Sequence, residues 1–561
     1  MGGVAPMCQC GVFPAYGVQH NQIGKLRLYR KMRKKKQVNR LISSVIFSLV
    51  ALSALSQTAA NGRPTLVVGI TIDQLRSDYI QLLQSHFGEN GFKRLLREGV
   101  YIENAVFKIA DVNKITSTAL LYTGAYPNVT GITGEKLYDE AARKALAIFN
   151  DSKYIGNATD ETYSPMALKV STLSDELRMD NNGIGSVYAI APDAQQALVM
   201  AGHAANGAFW INEKTGKWAS STFYKEFPSP VMLRNLNHSI SSRIDTLRWT
   251  PSISVNDYPD IPLHRTLFPF KYIFIGEDKY VQFKSSPLVN EEVTSLAVDC
   301  IKDLKLGKRS AVDMLNIAYT AAPYPYAEDA DRRIELQDEY IRLDKELARL
   351  FATIDSTVGK NAFIFVTSTG YFDNTFATEP RFNIPSGEFS SKKAVSLLNM
   401  YLMAIYGNGN WVSGYFNEQI FLNDKLAKEK NIPIEELRAK SGEFLRRMSG
   451  VNEAYTFDEI LNNPVGENLE SLHRSVYNET AGDIYLEIAP GWTVVDDLHS
   501  QNPQSKQIRN NAVNTPIFIL SPNVEPQKIS TPIDATLLAP TVARLLRIRS
   551  PNAACRMPLA F

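Results

Sequence analysis

Histidine and cysteine, the side chains most often used to hold zinc, are sparse in this chain. Its 561 residues include seven histidines, one of which, His20, lies in a basic leader. The others are His86, His203, His238, His264, His473 and His499, and none is part of an Asp-His-Gly run. Zinc sites are built from His, Cys, Asp or Glu, so this is a thin inventory for metal chemistry. Only His264 follows an aspartate, Asp260, by four residues, and it does so in irregular sequence where the spacing reads as chance. A second candidate is Asn113-Lys-Ile-Thr-Ser, which reads as a helix start capped by Asn113. Free N–H groups at such a start can hold a phosphate or carboxylate without cleaving it, or be taken by water and protein side chains.

The elements that must position these residues follow from composition and patterning. With 44% hydrophobic and 21% charged residues the chain is of ordinary globular composition. The formal charge of +2 hides an asymmetry. Residues 1–62 carry nine Lys or Arg and no acid, leaving 51 basic against 58 acidic residues in the body. A mildly acidic body is a poor partner for nucleic acid. The basic cluster runs into an apolar stretch over 41–55 and then small residues, the pattern of a secretory signal, with Met32 the better start. The stretch is short for a membrane span, so membrane contact is expected only through this signal or anchor segment, and the body is expected to be exported to the periplasm. In that compartment Cys300 and Cys555 are available for one bridge or as separate thiols.

Residues 65–72, 362–367 and 515–520 are continuous apolar, β-rich runs of the kind that fill a buried parallel sheet. Helical spacing is clearest over 334–353. Strands separated by such helices predict an α/β fold, a mostly parallel central sheet with helices on both faces. The aromatic-rich stretch from about 204 to 290 reads as long surface excursions, and 417–484 as a small inserted α+β subdomain. The core is then 63–416 with 485–561.

In order and sequence these pieces resemble the alkaline phosphatase superfamily, in its branch of type I phosphodiesterases and secreted Thr-nucleophile phosphatases. The matching stretches are residues 67–79, ending in Asp73-Gln-Leu-Arg-Ser-Asp-Tyr, then 91–99, Tyr122-Thr-Gly124, Ala201-Gly-His through Trp210, Tyr340 to Asp344, and Asp534 to Val542. The resemblance implies an alkaline-phosphatase-like fold. It also implies two zinc ions about 4 Å apart that activate a hydroxyl at a helix N-terminus.

Of the seven positions that carry this chemistry in the family, only Asp73 is retained here. The nucleophile position falls on Lys114, the Asp/His pair on Pro323 and Ala327, Asp-His-Gly on Thr369-Gly370-Tyr371, and the last ligand His on Ser505. The phosphate-clamping Lys/Arg pair falls on Asp193 and Gln195. A register slip would bring Thr116 or Thr118 to the nucleophile position, but an alcohol needs a metal or base to attack. Asp73, Lys114 and Asn113 thus mark a vestigial binding site with no catalytic residue, no metal and no cofactor, the Lys114 ammonium neutralising Asp73 in place of zinc. His203 lies in a structural segment of the family and is expected to be hydrogen-bonded. The expectation is an exported, non-catalytic binding or scaffold protein with a protein partner in the cell envelope. The alternative is a zinc-dependent phosphate mono- or diester hydrolase with an atypical site.

Overall fold

The computed structural model describes residues 62–140, 142–259, 270–327, 333–373, 386–462, 464–498, 504–508 and 512–561. The leader, His264 and His499 lie outside the described residues, as does the expected export segment. Residues 63–561 form one compact unit. Among the described residues no helix is long and apolar enough to cross a membrane.

The centre is a ten-stranded sheet. In chain order its strands are β1 (Leu66–Asp73), β2 (Val100–Ile102), β3 (Gly156–Asn157), β4 (Val187–Ile190), β5 (Gly207–Ile211), β6 (Trp218–Ser221), β7 (Asp313–Thr320), β8 (Ala362–Ser368), β9 (Ile517–Leu520) and β10 (Gln527–Ile529). Their spatial order is β10-β2-β9-β8-β1-β7-β4-β5-β6-β3. The five strands from β8 to β5 are parallel, as their continuous apolar sequence predicts. β9 differs. It was read as one more strand of the same kind, but it pairs antiparallel with both β8 and β2. An apolar run shows that a strand is buried on both faces and carries no information about its direction.

Alternation along β1 divides the core in two. Leu66, Val68, Ile70 and Ile72 join one hydrophobic cluster, and Val67 joins the other on the opposite face. Four helices matter to the site: α1 (Lys114–Thr123), α2 (Leu173–Asp180), α3 (Ala194–Ala201) and α4 (Arg333–Val358). The first three meet at one buried side chain, Asn316 of β7. Its amide donates to Ser174 Oγ of α2 at 2.9 Å and to the Met200 carbonyl of α3 at 3.0 Å. Its Oδ1 accepts from the Tyr122 hydroxyl of α1 at 3.2 Å. Gly69 of β1 leaves the room for this hub, since a Cβ there would lie 2.4 Å from Phe365 Cζ and 2.7 Å from Asn316 Oδ1.

The stretch 204–290 is a correction to the surface excursions expected of it. It supplies β5 and β6 and buries Trp218, Trp249, Phe274 and Phe283 in the core. Trp249 donates its indole N–H to Asp338 of α4 at 2.7 Å, so irregular backbone here carries core side chains. The α+β unit extends on both sides of 417–484. A four-stranded sheet of 412–416, 419–422, 484–488 and 451–456 and a three-stranded sheet of 388–390, 493–496 and 504–507 share a cluster running from Phe389 to Val494.

Gly69→Ala overpacks the centre of the sheet. Chemical denaturation should show a loss of about 1–3 kcal/mol, with the hub bonds of Asn316 strained or broken.

Candidate functional site

Parallel strands deliver their C-terminal ends to one edge of the sheet, and there the sequence-predicted residues meet. Asp73 is the last residue of β1 and is 5% exposed. Beside it, Thr369 immediately follows β8, and its hydroxyl donates to Asp73 Oδ1 at 2.8 Å. The same hydroxyl oxygen accepts the backbone N–H of Gln74 at 2.9 Å. Gln74 adopts a left-handed φ of 61°, uncommon for a residue with a side chain, and its Oε1 accepts from the Asp373 amide at 2.8 Å. The turn after β1 is therefore tied to the turn after β8 by two hydrogen bonds through Thr369.

The third component arrives on α1. Asn113 caps this helix with extended backbone, and its Oδ1 accepts from the Thr116 amide at 3.0 Å. The cap places Lys114 at the first helical position, where its ammonium stands 3.9 Å from Asp73 Oδ2. A quarter of the Lys114 side chain remains accessible to water.

Charge is distributed unevenly around this ammonium. Burial alone would push the Lys114 amine down, but Asp73, Asp193, Glu135 and Asp373 together hold it well above its ordinary value. Asp73 itself is raised, chiefly by burial, with Lys114, Thr369 and Tyr371 opposing the rise. Glu135 and Asp373, both exposed residues, are raised as well, desolvation by the surrounding protein being the main cause in each. Asp193, the cap of α3, is lowered despite its burial, because Lys114, Lys284 and the backbone N–H groups of Gln195 and Gln196 favour its charge. The Lys114 ammonium faces four carboxylates, and a further anion at the start of α1 would be repelled by them.

The counted replacements lie elsewhere or lack ligand chemistry. Ser505 sits in the strand 504–507, opposite Val495. Among the described histidines, His86 meets the Asp257 carbonyl at 2.7 Å, His473 the Ile460 carbonyl at 3.0 Å, and His203 is bonded at both ring nitrogens. Cys300 is buried and Cys555 exposed, both as free thiols. Among the described residues no group of three or more His, Cys, Asp or Glu is arranged to hold a metal. The groups bonded to or paired with Asp73 are two hydroxyls and an ammonium, and the carboxylates farther out have no described histidine or thiolate among them, a donor set that does not fit the family's pair of zinc ions. Thr116 Oγ1 and Ser117 Oγ, in the first turn of α1, are buried without a hydrogen-bond partner among the described residues.

Gln74, Glu135 and Asp373 were not foreseen from sequence. Glu135 and Asp373 reach Lys114 from separate loops, and nothing local distinguishes them from other surface acids. A non-glycine left-handed residue directly after a buried strand gives no signal in composition.

Comparison with known proteins places these observations in a family. The family model described as type I phosphodiesterase / nucleotide pyrophosphatase matches residues 67–512. The alkaline phosphatase PhoV of Synechococcus elongatus is 27% identical over 525 residues, covering 89% of this chain and 92% of that protein. The alkaline phosphatase PafA of Elizabethkingia meningoseptica is 26% identical over 525 residues, covering 90% and 95%. A protein of Myroides odoratus named a calcium-transporting ATPase is 28% identical over 531 residues, covering 89% and 94%. The crystal structure of wild-type PafA superposes with a TM-score of 0.76 at 24% identity, over 89% of this chain and 98% of that one, a likeness of fold.

Lys114→Met leaves Asp73 without its cation. The expected loss at neutral pH is roughly 1–3 kcal/mol, below the roughly 3–5 kcal/mol of a fully enclosed pair because Lys114 keeps contact with water. The loss should shrink on acidification, as Asp73 takes up a proton and the unpaired charge disappears. Adding Asp73→Asn should recover part of it, and strictly additive losses in this double-mutant cycle would contradict the pairing.

Proposed function

The chain belongs to the type I phosphodiesterase / nucleotide pyrophosphatase family of the alkaline phosphatase superfamily, and we propose that within it this protein is a non-catalytic member. In this reading it is exported to the periplasm and acts as a binding or scaffold protein of the cell envelope. The observation that carries the reading is the Lys114 ammonium 3.9 Å from Asp73, at the place where the family's chemistry calls for a hydroxyl and metal ions. An ammonium cannot act as a Lewis acid toward a phosphoryl oxygen. With its pKa held high, Lys114 is also a poor proton acceptor and nucleophile. What these residues can do is fix charge: Lys114 neutralises Asp73, Thr369 orients it, and Asn113 holds the helix that presents Lys114.

A second reading is a hydrolase of phosphate mono- or diesters with an atypical zinc site. The comparisons favour it, because PhoV and PafA are both named alkaline phosphatases and match over more than nine tenths of their lengths. The unpartnered hydroxyl of Thr116, two residues beyond Lys114, gives this reading a candidate nucleophile.

Metal analysis of the purified protein after incubation with zinc, run beside a nitrophenyl phosphate assay, separates the two. The non-catalytic reading predicts well under one zinc per chain and turnover that does not change in Asp73→Ala. About two zinc ions per chain, with turnover abolished by Asp73→Ala or Thr116→Ala, would establish the hydrolase instead.

A further inference from the structure

His203 lies just beyond the C-terminal end of α3, and both of its ring nitrogens face acceptors. Nδ1 is 3.0 Å from Asp175 Oδ2, and Nε2 is 3.0 Å from the Leu168 carbonyl oxygen. A carbonyl oxygen only accepts, so Nε2 carries a proton. Asp175 is an acceptor too: its oxygens already take the amides of Thr172, His203 and Ala204 at 2.7–2.9 Å and the Thr172 hydroxyl at 3.0 Å. With both nitrogens facing acceptors, the geometry favours the doubly protonated ring, an imidazolium. This cluster can form because Gly202 has a φ of 69°, and a Cβ there would lie 2.4 Å from Thr172 Oγ1 and 2.7 Å from Asp175 Oδ2.

We propose that His203 is a pH-operated clamp that, while protonated, ties the segment 168–172 and the start of α2 to the turn after α3. Loss of the proton leaves one ring nitrogen able to donate where two acceptors need a donor, and one of the two ties opens. The other polar groups on the packed elements are already engaged. Arg178 of α2 donates to the Ala204 carbonyl at 3.2 Å, Glu176 accepts from Ser171 Oγ at 2.6 Å, and the Tyr224 hydroxyl donates to the Gly202 carbonyl at 2.6 Å. Among the described residues Asp175 is therefore the only charged group bonded to the ring. Because α3 is capped by Asp193, which acts on Lys114, the clamp secures the far end of a helix that borders the candidate site. The proposal stands on the geometry of His203 and is independent of whether the protein is catalytic.

The sign of the effect follows from linkage. Burial is the largest influence on the ring and disfavours its charge, but the hydrogen bond and charge of Asp175, with the Leu168 carbonyl, outweigh it and raise the His203 pKa above 6.5. Asp175 is correspondingly lowered, although burial opposes its charge. A raised folded-state pKa gives stability that is fully present below the unfolded value and is lost as pH rises through the folded one.

Histidine Cε1 hydrogen–deuterium exchange, followed by mass spectrometry on the wild-type chain across pH, measures this directly. A His203 midpoint above 6.5 is expected, and a midpoint at or below 6.5 overturns the proposal. His203→Gln, whose one amide nitrogen cannot reach both acceptors and which carries no charge, should melt about 1–3 °C below wild type at about pH 6, with the gap closing by about pH 9. A gap that is unchanged across that range shows a merely structural side chain and also overturns the clamp. If His203→Gln does not fold, the wild-type midpoint still decides.

Discussion

A carboxylate taken out of water must be given a partner or a proton, and this requirement shapes the edge of the sheet at which β1 ends. Asp73 is held there by backbone topology: β1 lies between two parallel neighbours, in register with β7 and β8, and its last residue has no freedom to swing into solvent. The surrounding structure answers in two ways. Thr369 donates one hydrogen bond, and α1 brings an ammonium to within ion-pair distance. Helix α1 can do so because Asn113 caps its start and because Asn316 ties its other end, with α2 and α3, to the strand beside β1.

That answer is partial, and the electrostatics show it. The Lys114 ammonium faces Asp73, Glu135, Asp193 and Asp373; Asp73 is raised by its burial, and the more exposed Glu135 and Asp373 are raised by desolvation from the protein around them. Only Asp193, supported by backbone N–H groups at the start of α3 and by a second lysine, is lowered. A pair of divalent cations would invert this pattern and depress every nearby carboxylate. In the present arrangement Lys114 faces all four carboxylates, which keeps it protonated, while Lys284 acts on Asp193 and Lys506 on Asp373.

Much of this was legible in the sequence, for reasons that differ by element. β1 and β8 are continuous apolar runs, a pattern that short-range packing explains completely, and each was found within a residue or two of its ends. The Asn113 cap is a local hydrogen bond and needed no tertiary information. The proximity of Lys114 to Asp73 came from the family's layout, since the two are forty-one residues apart and share no local pattern. The direction of β9 was not legible, because its polarity depends on where the chain re-enters the sheet after the two smaller sheets. The burial of Trp249 and its neighbours was missed because an aromatic-rich stretch without regular spacing reads as surface, whereas aromatic side chains can anchor irregular backbone. Glu135 and Asp373 were missed because long-range charge coupling has no sequence period.

Diffraction at the zinc absorption edge, from crystals grown with zinc in several-fold excess over protein, tests most directly whether Lys114 stands in for metal. The account predicts no anomalous peak within about 3 Å of the Asp73 carboxylate, with density for the Lys114 side chain reaching toward it. Two peaks about 4 Å apart, with Asp73 as a ligand, would contradict it and restore the family's hydrolytic chemistry to this chain.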